Sequence, residues 1–126
     1  MIRREALEQV GGLDEGHFMY CEEIDWCLRA KRAGWAIYCV PRARIVHLAG
    51  QSTSQFRERM FVALWQSRYR LFARYYGPAY NRAIRIVVRA GLARRMREVR
   101  RALAAGALDP ELARRQLAAY ETVRAM

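Results

Sequence analysis

The sequence predicts an α/β fold class, in the order helix, loop, helix, strand, strand, and then helices only. Three observations carry this reading. Two β-type runs, Trp35 to Val40 and Arg44 to Leu48, follow a helical segment and are parted by Pro41. From residue 55 onward, apolar residues recur at three- and four-residue intervals, the period of one helix face. The charge changes at the same place. Residues 1–50 carry seven basic and seven acidic side chains, whereas residues 51–126 carry sixteen and five, so the net +11 falls on the second part.

The first helix spans residues 4–10 and is stopped by Gly11-Gly12. A loop from Leu13 to Tyr20 leads into a second helix at 22–33, where Ile24, Cys27 and Leu28 share a face and Gly34 is the stop. Its first turn holds Glu22, Glu23 and Asp25 and its last turn Lys31 and Arg32, the polarity a helix dipole favours. After the two strands, Ser52, Thr53 or Ser54 is expected to cap a helix at 55–76, which Gly77-Pro78 breaks. In 79–105 one stripe holds Ile84, Val88, Leu92, Met96, Val99 and Leu103, with arginines largely off it. Gly106 ends that helix, and Asp109-Pro110 opens the last one as N-cap and first helical residue.

With 126 residues and 53% hydrophobic side chains, the chain can bury a core. No apolar run exceeds six residues, as at Met60 to Trp65, against about 20 for a membrane-spanning helix. No leader-type apolar stretch follows Met1, and three cysteines, an odd number, do not make a disulfide framework. The expected setting is cytoplasmic and reducing. All basic residues but Lys31 are arginine, and a basic half on a neutral half suggests contact with phosphate, nucleic acid or a lipid surface.

The chemistry-bearing residues are concentrated between Gly11 and His47. Three carboxylates at one helix start repel one another, so at least one is expected to have a raised pKa, as suits a general base. Asp25 is spaced to meet Arg29 at i+4. Acids at a helix start are also simply stabilising. Cys21 and Cys27 lack a usual zinc spacing, even with His17 and His47 added, and read as buried free thiols.

The combined pattern resembles a known family. Arg3-Arg4, Gly11-Gly12-Leu13-Asp14-Glu15, Phe18-Met19-Tyr20, Glu22-Glu23-Ile24-Asp25-Trp26-Cys27-Leu28-Arg29, Ala33-Gly34-Trp35, Pro41 and His47 together look like the C-terminal part of family 2 glycosyltransferases, in their rhamnosyltransferase-like branch. The likeness covers Ile2 to Ser54, and the combination is specific where no single piece is. It implies an inverting, nucleotide-sugar-dependent enzyme. Residues 1–54 would be the acceptor and base half of a GT-A (Rossmann-like) catalytic domain, and 55–126 a helical, Arg-rich tail. Glu22-Glu23 occupies the acidic pair whose second member is the base, and Asp25 the supporting acid. Gly12, Asp14, Glu15 and Trp26 fall on the acceptor side, and His47 beside a divalent metal, Mn2+ or Mg2+, on the donor's diphosphate.

Leu13 stands where the family usually has Phe, and Glu23 where it usually has Asp, which leaves the base open between Glu23 and Asp25. The only aspartates are Asp14, Asp25 and Asp109, so the family's Asp-x-Asp metal motif is absent, as is a Gly-rich nucleotide turn. The expectation is therefore a portion of such an enzyme, inactive alone, acting in cell-surface polysaccharide or glycolipid synthesis. Its partners would be a nucleotide-sugar and a glycan or lipid-linked acceptor, with peripheral contact at the inner face of an anionic membrane. The Ile84 to Leu103 stripe would either lie on that membrane or pack on the catalytic domain. The rival is a non-catalytic basic helical module binding anionic lipid or nucleic acid. The acidic cluster, which repels phosphate, and the lack of a binding motif count against nucleic acid.

Overall fold

A computed structural model describes residues 1–46 and 56–126. It contains five helices: α1 (Arg4–Val10), α2 (Glu22–Arg32), α3 (Arg57–Tyr75), α4 (Pro78–Ala104) and α5 (Pro110–Ala125). Their bounds follow the expected stops closely. Gly11, Gly34 and Gly106 take positive φ of 81°, 89° and 68° at or just past three helix ends, a region where a Cβ is costly. Asp109 Oδ1 accepts from Leu112 N–H at 2.8 Å, and Pro110 occupies the first turn, as expected. The predicted caps Ser52, Thr53 and Ser54 lie outside the described residues, and α3 is entered through Phe56 with no side-chain cap.

The α/β expectation is overturned. The described residues are helical with no strand and no sheet, so they do not form an α/β, Rossmann-like GT-A portion. Residues 35–46 have the β-type composition, but they run as irregular chain. Tyr38, Ile45 and Val46 are strongly exposed, and the local bond is a turn, Ala43 N–H to Val40 O at 3.0 Å. Strand propensity is mainly a preference for packing on a neighbouring strand. With no ladder partner among the described residues, that preference has nothing to act on.

The helices form two groups. α1 packs on α2 around Ala6, Trp26 and Ala30, with Val10, Cys27 and Trp35 at the edge. α3, α4 and α5 form a helical bundle around Tyr69, Val88, Leu92 and Val123, with Phe61, Trp65, Phe72, Ile84 and Tyr120 against it. Phe61 and Tyr120 meet edge to face at 5.3 Å between centroids, an arrangement the aromatic quadrupoles favour. The stripe predicted on α4 therefore faces inward, since Val88, Leu92 and Met96 are all buried. Of its two expected roles, packing on protein is the one found, though the surface it packs on is α3 and α5.

Leu92→Ala should destabilise the bundle by about 3 kcal/mol through lost burial and a residual cavity. Ile86→Ala, on the exposed side of the same helix, should change stability by less than about 0.5 kcal/mol. Urea unfolding followed by circular dichroism checks both.

Candidate functional site

The predicted site residues gather where α1 turns into α2. Three successive carbonyls of the Gly11 turn are held by α2 side chains. Val10 O and Gly12 O accept from the Arg29 guanidinium, each at 2.6 Å. Gly11 O accepts from the Trp26 indole N–H at 2.8 Å. Trp26 is buried, and its indole holds the glycine turn. Arg29 is fixed in turn by Asp25 Oδ2 at 2.8 Å. The i,i+4 spacing legible in the sequence thus makes a structural pair whose other arms reach the loop.

Asp25 is fully buried. Its Oδ1 accepts from the Tyr75 hydroxyl at 2.8 Å and lies 3.1 Å from the Arg74 guanidinium, both on α3. Burial pushes its carboxyl up, but the hydrogen bonds from Arg29 and Tyr75 and the charge of Arg74 outweigh burial and hold it below the usual value. The expected rise among the crowded acids is therefore not found at Asp25, because the Arg29 and Arg74 guanidinium groups and the Tyr75 hydroxyl contact its carboxylate directly. Burial and the Asp25 bond push the Tyr75 phenol up, which keeps it a proton donor.

Asp14 forms the second anchor. Its Oδ1 accepts from Gly16 N–H at 2.9 Å and from Arg70 at 3.2 Å, and its Oδ2 from Arg74 at 2.9 Å. The Gly16 bond is the main reason its carboxyl sits below the ordinary value. Arg74 therefore bridges the two aspartates. Between these anchors the chain passes through Tyr20 and Cys21, both at positive φ (70° and 68°), a strained setting for non-glycine residues. Ser67, buried on α3, donates its hydroxyl to Met19 O at 2.7 Å just before this turn.

The turn delivers the acids. Glu23 is exposed at the start of α2, Glu22 is half-buried and Asp25 points inward. Glu15 and Gly12 are exposed on the neighbouring loop. His47 lies outside the described residues.

Single carboxylate and ring atoms of Asp14, His17 and Asp25 lie within 4.8 Å of one another. His17 is buried with neither ring nitrogen hydrogen-bonded. These residues do not fit a divalent cation. All four carboxylate oxygens already accept from Arg29, Arg70, Arg74, Tyr75 or Gly16, and the Arg74 guanidinium occupies the bridging position between the two acids. This cluster is thus held by arginine and is not a ready cation site.

Ser67, Arg70, Arg74 and Tyr75 were not singled out in the sequence as site residues. The available signal was the i,i+4 pair Arg70 and Arg74 beside an aromatic, on a helix whose arginines otherwise read as solvated. An open cleft of about 560 Å³ between α3 and α5, lined by Phe56, Val62 and Ala119 among others, contains none of the predicted site residues.

No protein-family profile matches the chain, and no solved structure matches it. Curated proteins similar to it include three rhamnosyltransferases from different organisms. The first is an N-acetylglucosaminyl-diphospho-decaprenol L-rhamnosyltransferase of Mycobacterium tuberculosis, 35% identical over 95 residues, covering 75% of this chain and 31% of the relative. Rhamnosyltransferase WbbL of Escherichia coli is 36% identical over 74 residues, 59% of this chain and 28% of that protein. The dTDP-rhamnosyl transferase RfbF of Shigella flexneri is 32% identical over 53 residues, 42% of this chain and 18% of that protein. The chain thus spans about a third or less of the length of the curated relatives it matches. These relatives are rhamnosyltransferases, so the chain is related to glycosyltransferases.

Two outcomes are expected from this geometry. Asp25→Asn should destabilise the α2–α3 contact by about 3 kcal/mol, because Arg29 and Arg74 lose their buried counter-charge. Differential scanning calorimetry measures it. The pH dependence has a fixed sign. Both aspartates are held below the ordinary carboxyl range, so their contribution is complete at pH above that range. It is lost as pH falls through the depressed folded values. Trp26 fluorescence, recorded down a pH series, should report release of the glycine turn below about pH 4, and Asp25→Asn should flatten that acid limb.

Proposed function

We propose that this chain is the acceptor-side part of a rhamnosyltransferase-type, family 2 glycosyltransferase. It would move a sugar from a nucleotide-sugar to an acceptor hydroxyl with inversion, in cell-surface polysaccharide or glycolipid synthesis. The observation that carries the reading is the division of labour among the three acids. Asp25 is buried with both oxygens engaged, so it is unsuited to taking a proton from a substrate. Glu23, two residues earlier on α2 and in the base position that the family resemblance implies, is exposed.

In this reading Glu23 is the general base. Its carboxylate removes the acceptor hydroxyl proton while the oxygen attacks the anomeric carbon from the face opposite the leaving diphosphate. The new glycosidic bond forms as the bond to the diphosphate oxygen breaks, and the configuration inverts. Asp25 positions the base through the α2 start, and Gly12, Asp14 and Glu15 border the acceptor. Glu22 stands beside the base as the first member of the acidic pair. A divalent metal, Mn2+ or Mg2+, would stabilise the departing diphosphate, with His47 on the metal side.

The relatives' names support the choice of substrates. One uses an acceptor called N-acetylglucosaminyl-diphospho-decaprenol, and another carries dTDP-rhamnosyl in its name. We take the donor here as a nucleotide-activated sugar and the acceptor as a lipid-linked glycan, met on the cytoplasmic side of the membrane. Nucleotide-binding residues would come from outside these 126 residues, and the chain alone would be inactive.

In an enzyme that includes this segment, Glu23→Gln should lower kcat by at least about a thousandfold, with melting temperature and acceptor KM little changed. Equal loss from Asp25→Asn without loss of stability would instead move the base to Asp25. Isothermal titration of the 126-residue chain with dTDP-rhamnose and Mn2+ should give no tight binding.

A further inference from the structure

α4 has a second side that the helical bundle leaves bare. Val88, Leu92 and Met96 mark its inward line. Roughly opposite on a 3.6-residue period lie Ala83, Ile86, Val87 and Ala90, with Tyr80 at their border. Ile86 is 61% and Val87 66% exposed, large values for branched aliphatic residues on a well-packed helix. Tyr76 stacks on Tyr80 at 4.3 Å between centroids and closes the N-terminal end of the patch with two aromatic rings.

Farther along the same face, the apolar residues give way to Arg94, Arg97 and Arg101. The helix as a whole carries eight arginines against one acid, Glu98. Arg94 spends its charge on Glu98 at 2.9 Å, while Arg97 and Arg101 form no ion pair among the described residues. An aliphatic patch bordered by tyrosines and continued by unpaired guanidinium groups is complementary to a surface that is greasy beneath and negative above.

We propose that this outer face of α4 docks on an anionic lipid bilayer, lying in the plane of the interface. Ile86 and Val87 would enter the acyl boundary, Tyr76 and Tyr80 would sit at headgroup level, and Arg97 and Arg101 would bind lipid phosphates with their alkyl stems along the surface. No described helix is long and apolar enough to cross a membrane, which agrees with an in-plane orientation. Nucleic acid would use the arginines but has no call for exposed Ile86 and Val87 at the patch centre. The proposal concerns the face opposite the Ile84 to Leu103 stripe, for which the sequence offers either membrane contact or packing on protein, and it stands independently of the transferase reading.

Flotation of the full chain with lipid vesicles tests it. The chain should float with vesicles of phosphatidylcholine plus phosphatidylglycerol, much less with phosphatidylcholine alone, and added salt should weaken the association. Ile86→Ser with Val87→Ser should reduce partitioning by at least about tenfold, since two apolar insertions are lost. The helical circular dichroism signal and melting temperature should stay unchanged because both side chains are exposed. Arg97→Gln with Arg101→Gln should reduce partitioning to anionic vesicles alone. Equal flotation with neutral and anionic vesicles would overturn the proposal. So would unchanged flotation of the serine double variant, which would leave only diffuse charge attraction. Binding to duplex DNA that outcompetes the vesicles and ignores the serine variant would overturn it in favour of nucleic acid. Self-association lost in the serine variant, without flotation, would overturn it in favour of a second copy.

Discussion

A buried carboxylate needs compensation from nearly every direction, and Asp25 obtains it from three side chains on two helices. Leaving such a charge unpaired inside a protein costs several kcal/mol. Arg29, Tyr75 and Arg74 therefore have to be in place together. Arg29 also holds Val10 O and Gly12 O while it pairs with Asp25, and Tyr75 and Arg74 reach Asp25 from α3. One group thus fixes the glycine turn, the start of α2 and the docking of the arginine-rich bundle. Asp14 repeats the arrangement closer to solvent, where Arg70 and Arg74 are about half exposed and each ion pair contributes little by itself.

This architecture gives α3 two faces with different work. One packs Tyr69 and neighbouring aromatics against α4 and α5. The other presents Ser67, Arg70, Arg74 and Tyr75 to the loop that carries the acids. The strained pair Tyr20 and Cys21 is held between Met19 O, bonded by Ser67, and Asp25, bonded by Tyr75. Backbone strain of this kind persists only where flanking contacts over-determine it. The exposure of Glu23 beside buried Asp25 follows from that held turn. The arginine-rich segment is thus a mechanical part of the site.

Arginine also has more than one job here. Arg32 lies over the Tyr75 ring at 4.5 Å and Arg85 over the Tyr69 ring at 4.6 Å, where a planar cation stacks on an aromatic face. Others cap carbonyls, such as Arg89 on Arg124 O at 3.1 Å and Arg85 on Met126 O. A surplus of positive charge in a composition cannot tell these uses from a free binding surface. Among the described residues, Arg97, Arg101 and similarly unpaired groups are the ones left for a partner.

The sequence by itself determined the helices, their ends and one pair. Helix periodicity, Gly11, Gly34, Gly106 and the Asp109-Pro110 start are local signals, and local backbone energetics are enough to realise them. Asp25 to Arg29 was legible for the same reason, being one helical turn apart. The β-type residues 35–46 misled, because a strand is settled by a neighbour and not by its own residues. Which face of α4 turned inward, and which acid was buried, were decided only in the tertiary structure. Tyr75 and Asp25 are 50 residues apart, and no pattern within either segment encodes their meeting. That contact exists because α3 presents its Asp25-facing side while its other side is packed against α4 and α5, a result of the whole chain's packing.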